Sequence, residues 1–159
     1  MSAAFGLAII ATVMGGVALA RSGPSTTESP SSLPAKSAGP SADEVAAAKM
    51  EACAAWRVSA IAMNVARRPF VDSPAARDDP ITANALAQSE AAIAIQVAYV
   101  RQHIPAATPP DVAIPIGQYL AGMIDTAAAD GQPGADAAAN AAAARATAAA
   151  TKIKGACGA

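Results

Sequence analysis

Prolines set the boundaries of most of the regular structure that this chain can form after residue 40. Pro40 precedes one apolar stretch and Pro69 follows it, whereas Pro80 opens the next stretch and Pro105 follows that one. A proline inside a helix removes a backbone hydrogen bond and clashes with the preceding turn, so helices usually end just before it. The spacing of the prolines therefore predicts several separate helices.

The first of these helices is predicted to begin at Ser41 and to end at Arg68, because Pro69 follows. Ser41 and Glu44 have the spacing of a capping box, in which each side chain accepts a hydrogen bond from the other residue's backbone N–H. Two apolar stripes run along the helix, which predicts contact with more than one neighbouring helix. The main stripe comprises Val45, Ala52, Trp56, Ala60 and Met63, and the second comprises Val58, Ile61 and Val65.

The second and third helices are predicted from their caps and from the spacing of their apolar residues. Asp79 and Pro80 suit the N-cap and first position of a helix that runs to about His103. The same capping pattern at residues 108–111 starts a third helix, in which Pro115 predicts a kink or a restart one turn later. The apolar seams are Ile93, Val97, Val100 and Ile104 in the second helix, and Val112, Ile116, Leu120, Met123 and Ala127 in the third.

The fourth helix, predicted from Ala135 to Lys154 with Gly155 as its stop, consists mostly of alanine. Alanine has the highest helix propensity but buries little surface, so it allows helices to approach closely. Short connections between four helices predict an antiparallel up-down bundle over residues 42–159, with no strands, in an all-α protein. The predicted solvent face of this helix consists of Asp136, Asn140, Thr147, Thr151 and Lys154.

The N-terminal 20 residues are predicted to be an export or anchoring element. Residues 3–20 carry no charged side chain, and a helix of that length spans about 27 Å, close to the thickness of a bilayer core. Two interpretations stay open: a membrane anchor that is not cleaved, or a secretory signal cleaved after Ala20, where the sequence has the small-x-small pattern. Residues 21–41 are rich in Ser and Pro, which predicts a disordered linker. Either way we expect residues 42–159 on the extracytoplasmic side.

The two cysteines lie in the first helix and just past the fourth. An up-down bundle returns the end of its fourth helix to the start of its first, so we expect a disulfide between Cys53 and Cys157 if the domain is exported. Closing a loop of about 100 residues stabilises a fold by up to roughly 4–5 kcal/mol in the chain-entropy model. Unpaired thiols and a redox or metal role are the alternatives, although the spacing resembles neither a redox pair nor a zinc site.

Three short motifs carry a resemblance to a known group of proteins. They are Cys-Ala-Ala-Trp at 53–56, Ala-Thr-Pro-Pro at 107–110 and Ala-Cys-Gly at 156–158, placed after an apolar segment and a Ser/Pro-rich spacer. In this arrangement the chain resembles the uncharacterised exported or membrane-anchored alanine-rich helical proteins of mycobacteria and related actinobacteria. The resemblance implies an envelope location and a helical fold held by a disulfide, and it implies no reaction.

Charge and motif content argue against several functions. Residues 42–159 carry nine basic and eleven acidic side chains, so the domain has no electrostatic footprint for nucleic acid. The sequence contains no nucleophile elbow, phosphate loop or zinc-protease motif, and we predict no catalytic residue, metal or cofactor. His103 is expected to be a surface or capping residue. The Arg and Asp residues between 67 and 79 are expected to form a solvated, partly ion-paired loop.

Three functions remain open. The first is a non-enzymatic envelope protein, held by residues 3–20 at the membrane or secreted, whose helical domain binds an unidentified envelope protein or has a structural role. The second is a carrier of a small apolar ligand or lipid, with a pocket near Trp56, Met63 and Pro115. The third and least favoured is an enzyme that uses the Arg/Asp loop. A sealed core would favour the first, an apolar cavity the second, and a cleft of convergent polar groups the third.

Overall fold

The computed structural model describes residues 39–73 and 75–158. These residues form four α-helices and no strand, which confirms the all-α prediction for this part of the chain. The predicted segment 1–20 and almost all of the predicted linker 21–41 lie outside the described residues. None of the helices that the structure describes combines the length and the apolar character needed to cross a membrane. The helices are α1 (Ala42–Val71), α2 (Pro80–Gln102), α3 (Pro110–Asp130) and α4 (Asp136–Cys157).

The four helices form a bundle in which α3 packs most closely with α4, and α1 with α2. By contrast, α1 and α4 approach each other at few points. Cys53 near the start of α1 meets Cys157 at the end of α4, as an antiparallel arrangement requires. The predicted apolar seams of α2 and α3 supply seven of the eleven larger residues of the core. Its larger members are Trp56, Met63, Ile93, Val97, Val100, Val112, Ile116, Tyr119, Leu120, Met123 and Ile153.

The predicted N-terminal caps of α1 and α2 are confirmed. The Ser41 hydroxyl accepts a hydrogen bond from the Glu44 N–H at 3.3 Å, and the Glu44 carboxylate accepts one from the Ser41 N–H at 2.7 Å. That backbone hydrogen bond lowers the pKa of Glu44 from its ordinary value. Asp79 accepts from the backbone N–H groups of Ile81 and Thr82, one turn into α2. These two helices therefore begin where their caps predict.

The end of α1 differs from the prediction, because the helix continues past Pro69 to Val71. A proline at this position forfeits one hydrogen bond, to the carbonyl of Val65. The next residue, Phe70, is buried, and the Arg77 guanidinium lies 5.4 Å from its ring centroid. Packing of this aromatic ring thus outweighs the local preference to stop at Arg68.

The start of α3 also differs from the prediction. Pro109 is the N-cap, and Thr108 does not cap the helix; its hydroxyl is buried without a hydrogen-bond partner among the described residues. The helix begins at Pro110 and runs through Pro115 to Asp130, so the predicted restart does not occur. Pro115 is buried, and the helix continues through it although the proline removes one backbone hydrogen bond.

In α4 the predicted solvent face is confirmed and the predicted stop is wrong. The helix passes Gly155 and ends at Cys157, followed by Gly158 in a left-handed conformation with φ of 71°. A left-handed residue after the last turn is the usual place for glycine, so the stop signal lies three residues later than predicted. The buried face repeats at intervals of three and four residues and consists of Ala139, Ala142, Ala146, Ala149 and Ile153.

Candidate functional site

An open groove of about 810 Å³ separates α1 from α4. One wall consists of residues between Trp56 and Arg68 of α1, and the other of residues between Ala143 and Lys154 of α4. The floor is supplied by α3, through Tyr119, Met123 and Thr126. We call this feature the α1/α4 groove. Ile61 and Val65 at its α1 edge are exposed, whereas the residues at its base are almost fully buried.

The groove exists because α4 carries methyl groups where a bundle helix normally carries large side chains. On its other side α4 lies so close to α3 that a Cβ added to Gly122 would come within 2.9 Å of the Ala146 backbone nitrogen. Ala146 and Ala150 also face the groove, but a methyl group is too short to fill the space towards α1. Close approach to one neighbour therefore leaves a gap beside the other.

The floor of the groove is aromatic and poorly hydrated. Trp56 and Tyr119 meet edge to face with ring centroids 5.9 Å apart, and each is only 4% exposed. Burial raises the pKa of Tyr119 to about 12, because the phenolate would be poorly solvated at this position. The Thr126 hydroxyl donates to the Gly122 carbonyl at 2.7 Å and is satisfied within α3. A floor of this kind favours contact with an apolar group.

A disulfide and an ion pair lie near the two ends of the groove. At one end Cys53 and Cys157 are at disulfide-bonding distance, with their Cα atoms 5.9 Å apart, and the predicted pairing is confirmed. At the other end Arg67 donates two hydrogen bonds to Asp130, Nε to Oδ2 at 2.8 Å and Nη2 to Oδ1 at 3.1 Å. Asp130 is buried at the end of α3, so this bidentate pair fixes α1 against α3.

Positive charge collects around the groove. Four of the nine basic residues of the domain line it, and none of its eleven acidic residues does. Arg67 is neutralised by Asp130, whereas no ion pair within the described residues involves the other three. Those three side chains, on residues that are largely exposed, are Arg57, Arg68 and Lys154. An apolar floor with an uncompensated cationic rim is an arrangement suited to amphiphilic anions.

The predicted pocket residues do not all meet in this groove. Trp56 lies on its floor, but Met63 and Pro115 are buried in the core and are absent from its lining. The sequence reasoning did not single out Tyr119 as a floor residue, nor the rim cations Arg57 and Lys154. The sequence does contain a signal for the two rim cations, because a disulfide would bring them to the same end of the bundle: Arg57 lies one turn after Cys53, and Lys154 lies three residues before Cys157.

The second apolar stripe of α1 is exposed, although α1 contacts α2, α3 and α4, so the predicted contact with more than one helix is confirmed. Val58, Ile61 and Val65 are 62%, 61% and 64% exposed. Ile61 and Val65 form the outer lip of the groove, and Val58 continues the same face. The stripe is visible in the sequence, but its exposure follows from the shortness of the α4 side chains opposite.

The residues considered for catalysis have structural partners. His103 caps α2, with its Nδ1 2.8 Å from the Tyr99 carbonyl oxygen. The predicted ion-paired loop is replaced by pairs across the bundle: Arg67, which lies in α1, binds Asp130, and Arg77 binds the Asp136 carboxylate and the Asp130 carbonyl. Among the described residues, no three His, Cys, Asp or Glu side chains are grouped closely enough to hold a metal ion.

The chain matches no protein-family model, no curated protein and no solved structure. The chemistry of the α1/α4 groove is therefore the basis for proposing a function.

Proposed function

We propose that this protein is a non-enzymatic binding protein of the cell envelope, whose helical domain holds a small apolar ligand or lipid in the α1/α4 groove. The observation that carries the proposal is the groove itself. Its volume of about 810 Å³ lies within the range of roughly 300–1,000 Å³ that is typical of small-molecule sites. Alanine, isoleucine, valine and methionine side chains and two aromatic rings make up most of its lining.

A ligand would also cover apolar surface that is otherwise in contact with water. The lip residues Ile61 and Val65 are exposed, and the floor residues Trp56 and Tyr119 lie between the two walls. Covering such surface is favourable by roughly 25 cal/mol for each Å² removed from water. The Cys53–Cys157 bond to α4 and the Arg67–Asp130 ion pair to α3 fix the position of the α1 wall in advance, so binding does not have to open the bundle.

The envelope location rests on the sequence and on the disulfide. Residues 3–20 are apolar and uncharged and end in a small-x-small pattern, which supports export or anchoring. The disulfide pairing of Cys53 with Cys157 supports an oxidising compartment, because such bonds are rare in the cytosol. Recovery of the protein from cell fractions, with its mature N-terminus read by mass spectrometry, tests this part. A reduced protein in the cytosolic fraction would contradict it.

A second candidate function, binding of an envelope protein, is favoured by the apolar face outside the groove. Val58 and Met50 of α1 are 62% and 68% exposed and do not line the groove. If this face is the functional one, blocking the groove has no effect on the interaction, whereas Val58→Asp abolishes it. The two functions are thus separable by one variant that blocks the groove and one variant on the exposed face of α1.

The groove is tested with a neutral apolar probe and one blocking variant. The sole tryptophan, Trp56, lies on the floor, so its fluorescence should change when N-phenyl-1-naphthylamine binds. Ala150→Phe places a ring in the groove and should abolish saturable binding. Ala148→Phe is the matched control, because Ala148 is on the exposed face of α4. No saturable binding to the wild-type protein, or equal binding to both variants, would rule out the groove as a ligand site.

A further inference from the structure

We infer that the ligand of the α1/α4 groove is a single-chain amphiphile with an anionic head group, a carboxylate or a phosphate, bound between Arg57 and Lys154. This inference rests on the proposed binding function and adds the chemistry and the orientation of the ligand. Its starting observation is the position of two unpaired cations on facing walls of the groove, beside the disulfide.

The disulfide fixes the register between the two walls. Arg57 lies four residues, one helical turn of about 5.4 Å, after Cys53. Lys154 lies three residues before Cys157 on the antiparallel helix. Both residues line the groove, so the cross-link brings a guanidinium and an ammonium to the same end of it. Arg57 also borders an adjoining depression of about 280 Å³ that includes Lys49, a third positive charge at this end.

The charge at this end is local and is not a property of the whole domain. The domain has more acidic than basic side chains, yet no acidic side chain lines either the groove or the adjoining depression. In the described part of the chain, Arg57, Lys49 and Lys154 have no ion pair with a carboxylate. An Arg–Lys pair without a counter-ion is complementary to a carboxylate or phosphate, and such charge-assisted hydrogen bonds are the stronger kind.

The rest of the groove suits the apolar chain of such a ligand. From Arg57 to Arg68 the α1 wall is about 16 Å long, at 1.5 Å per residue. The floor beneath it is Trp56, Tyr119 and Met123, and the α4 wall is mainly alanine. At the far end the charge of Arg67 is taken up by Asp130, which leaves Arg68 as the single unpaired cation there. The head group is therefore assigned to the disulfide end, where two cations face each other.

A single molecule fits this geometry better than a membrane surface does. The aromatic floor consists of Trp56 of α1 and Tyr119 of α3, each 4% exposed and lying deep between the exposed edges of the two walls. A flat bilayer surface would touch the rim and the lip without reaching Trp56. An individual chain that enters between the walls contacts both rings, so a change in Trp56 fluorescence distinguishes the two modes.

The test compares four ligands that share one chain. Dodecanoate, dodecyl phosphate, dodecanol and dodecyltrimethylammonium are titrated into the full chain below their micelle concentrations, with Trp56 fluorescence as the readout. We expect the anions to bind about tenfold more tightly than the alcohol, and the cation to bind most weakly. Whichever anion binds more tightly identifies the head group, and either order supports the inference.

Variants of the rim then locate the head group. Arg57→Gln combined with Lys154→Gln should remove the preference for the anions and leave dodecanol binding unchanged. Lys152→Gln is the matched control, because Lys152 is exposed on α4 and does not line the groove. Arg68→Gln, at the far end, should have a smaller effect than the double variant. A larger effect of Arg68→Gln would overturn the assigned orientation.

The remaining outcomes separate this inference from the proposed function. If dodecanol binds as tightly as dodecanoate, the inference is wrong and the binding function stands. If neither these ligands nor N-phenyl-1-naphthylamine binds, both are wrong. If the protein binds vesicles with anionic lipids and leaves Trp56 fluorescence unchanged with every single-chain ligand, the cations serve a membrane surface and the inference is overturned.

Discussion

Alanine lines both the side of α4 that faces α3 and the side that faces α1, but the helices pack closely on the first side and leave a groove on the second. Towards α3, alanine meets glycine, and the backbones approach until Ala146 touches the space where a Gly122 side chain would lie. Towards α1, Ala143 and Ala150 face a groove of about 810 Å³. A small side chain therefore gives close packing only where the opposite helix is small too. Where the opposite helix is not free to approach, the same methyl groups leave an opening.

The disulfide and the Arg67–Asp130 ion pair determine which side of α4 stays open. Cys53–Cys157 and Arg67–Asp130 hold α1 at the two ends of the groove. Between those ends α1 carries Trp56, whose ring rests on Tyr119 of α3 and occupies the space that a closer approach would need. The side of α4 that faces α1, the open side, thus depends on the disulfide, the ion pair and the Trp56–Tyr119 contact. The side of α4 that faces α3, the closed side, depends on the close approach of the two helix backbones.

The largest effect is expected on the open side, from loss of the disulfide. The double variant Cys53→Ser/Cys157→Ser should lower the free energy of unfolding by about 2–5 kcal/mol, because the bond closes a long loop and is one of the ties between α1 and α4. Urea unfolding followed by circular dichroism measures the change. The wild-type protein with a reductant is the control and should match the variant. A loss below about 1 kcal/mol would show that the walls hold without the bond.

Adding a single methyl group at Gly122 tests the closely packed interface between α3 and α4. Gly122→Ala should lower the free energy of unfolding by about 1–3 kcal/mol, because its Cβ would lie 2.9 Å from both the Cβ and the backbone nitrogen of Ala146. Backbone cannot rotate away as a long side chain can, so α3 and α4 must separate.

Gly117→Ala is the matched control on the same helix. Gly117 is exposed, and a Cβ built there meets nothing within 4 Å. This variant should therefore raise stability by about 0.5–1 kcal/mol, the usual gain from replacing a glycine inside a helix. Equal changes in the two variants would contradict the close approach of α3 to α4.

The sequence predicts the helices well because caps and apolar spacing are local. Ser41, Asp79 and the seams of α2 and α3 act within a few residues, and the structure agrees with them. The predictions fail where tertiary contacts outweigh local preference. Phe70 extends α1 beyond Pro69, and burial of Pro115 keeps α3 continuous. The position of Gly158, rather than Gly155, sets the end of α4 once Cys157 is tied to α1.

The groove is less visible in the sequence than the helices are. Trp56 stands out by its size, and the cysteine pair follows from the up-down order. The shape of the site, however, depends on the gap between α1 and α4, and the width of that gap depends on how closely α4 packs against α3. That distance is set by Gly122 against Ala146, a pair of residues from different helices with no distinctive pattern around either. Likewise, which cations line the groove follows only from the register of α1 against α4, and that register cannot be read from either helix alone.

The smallest effect is expected from adding bulk to the open side. Ala150→Phe adds a whole ring to α4, yet it should lower the free energy of unfolding by no more than about 0.5 kcal/mol, the difference in helix propensity between the two residues. Ala150 is half-buried on the groove wall, so the ring can enter existing space and cover apolar surface there.

Ala148→Phe separates the propensity cost from packing, because Ala148 is exposed on the far face of α4 and pays the same helix penalty without entering the groove. The difference in free energy of unfolding between the two phenylalanine variants, measured by urea unfolding, therefore reports the effect of placing extra side-chain volume in the groove. We expect Ala150→Phe to be equally stable or more stable. If it were less stable by about 2 kcal/mol, as overpacking of a filled core would cause, α1 and α4 would lie in contact in solution. Both sides of α4 would then be closed, and the contrast with Gly122→Ala would vanish.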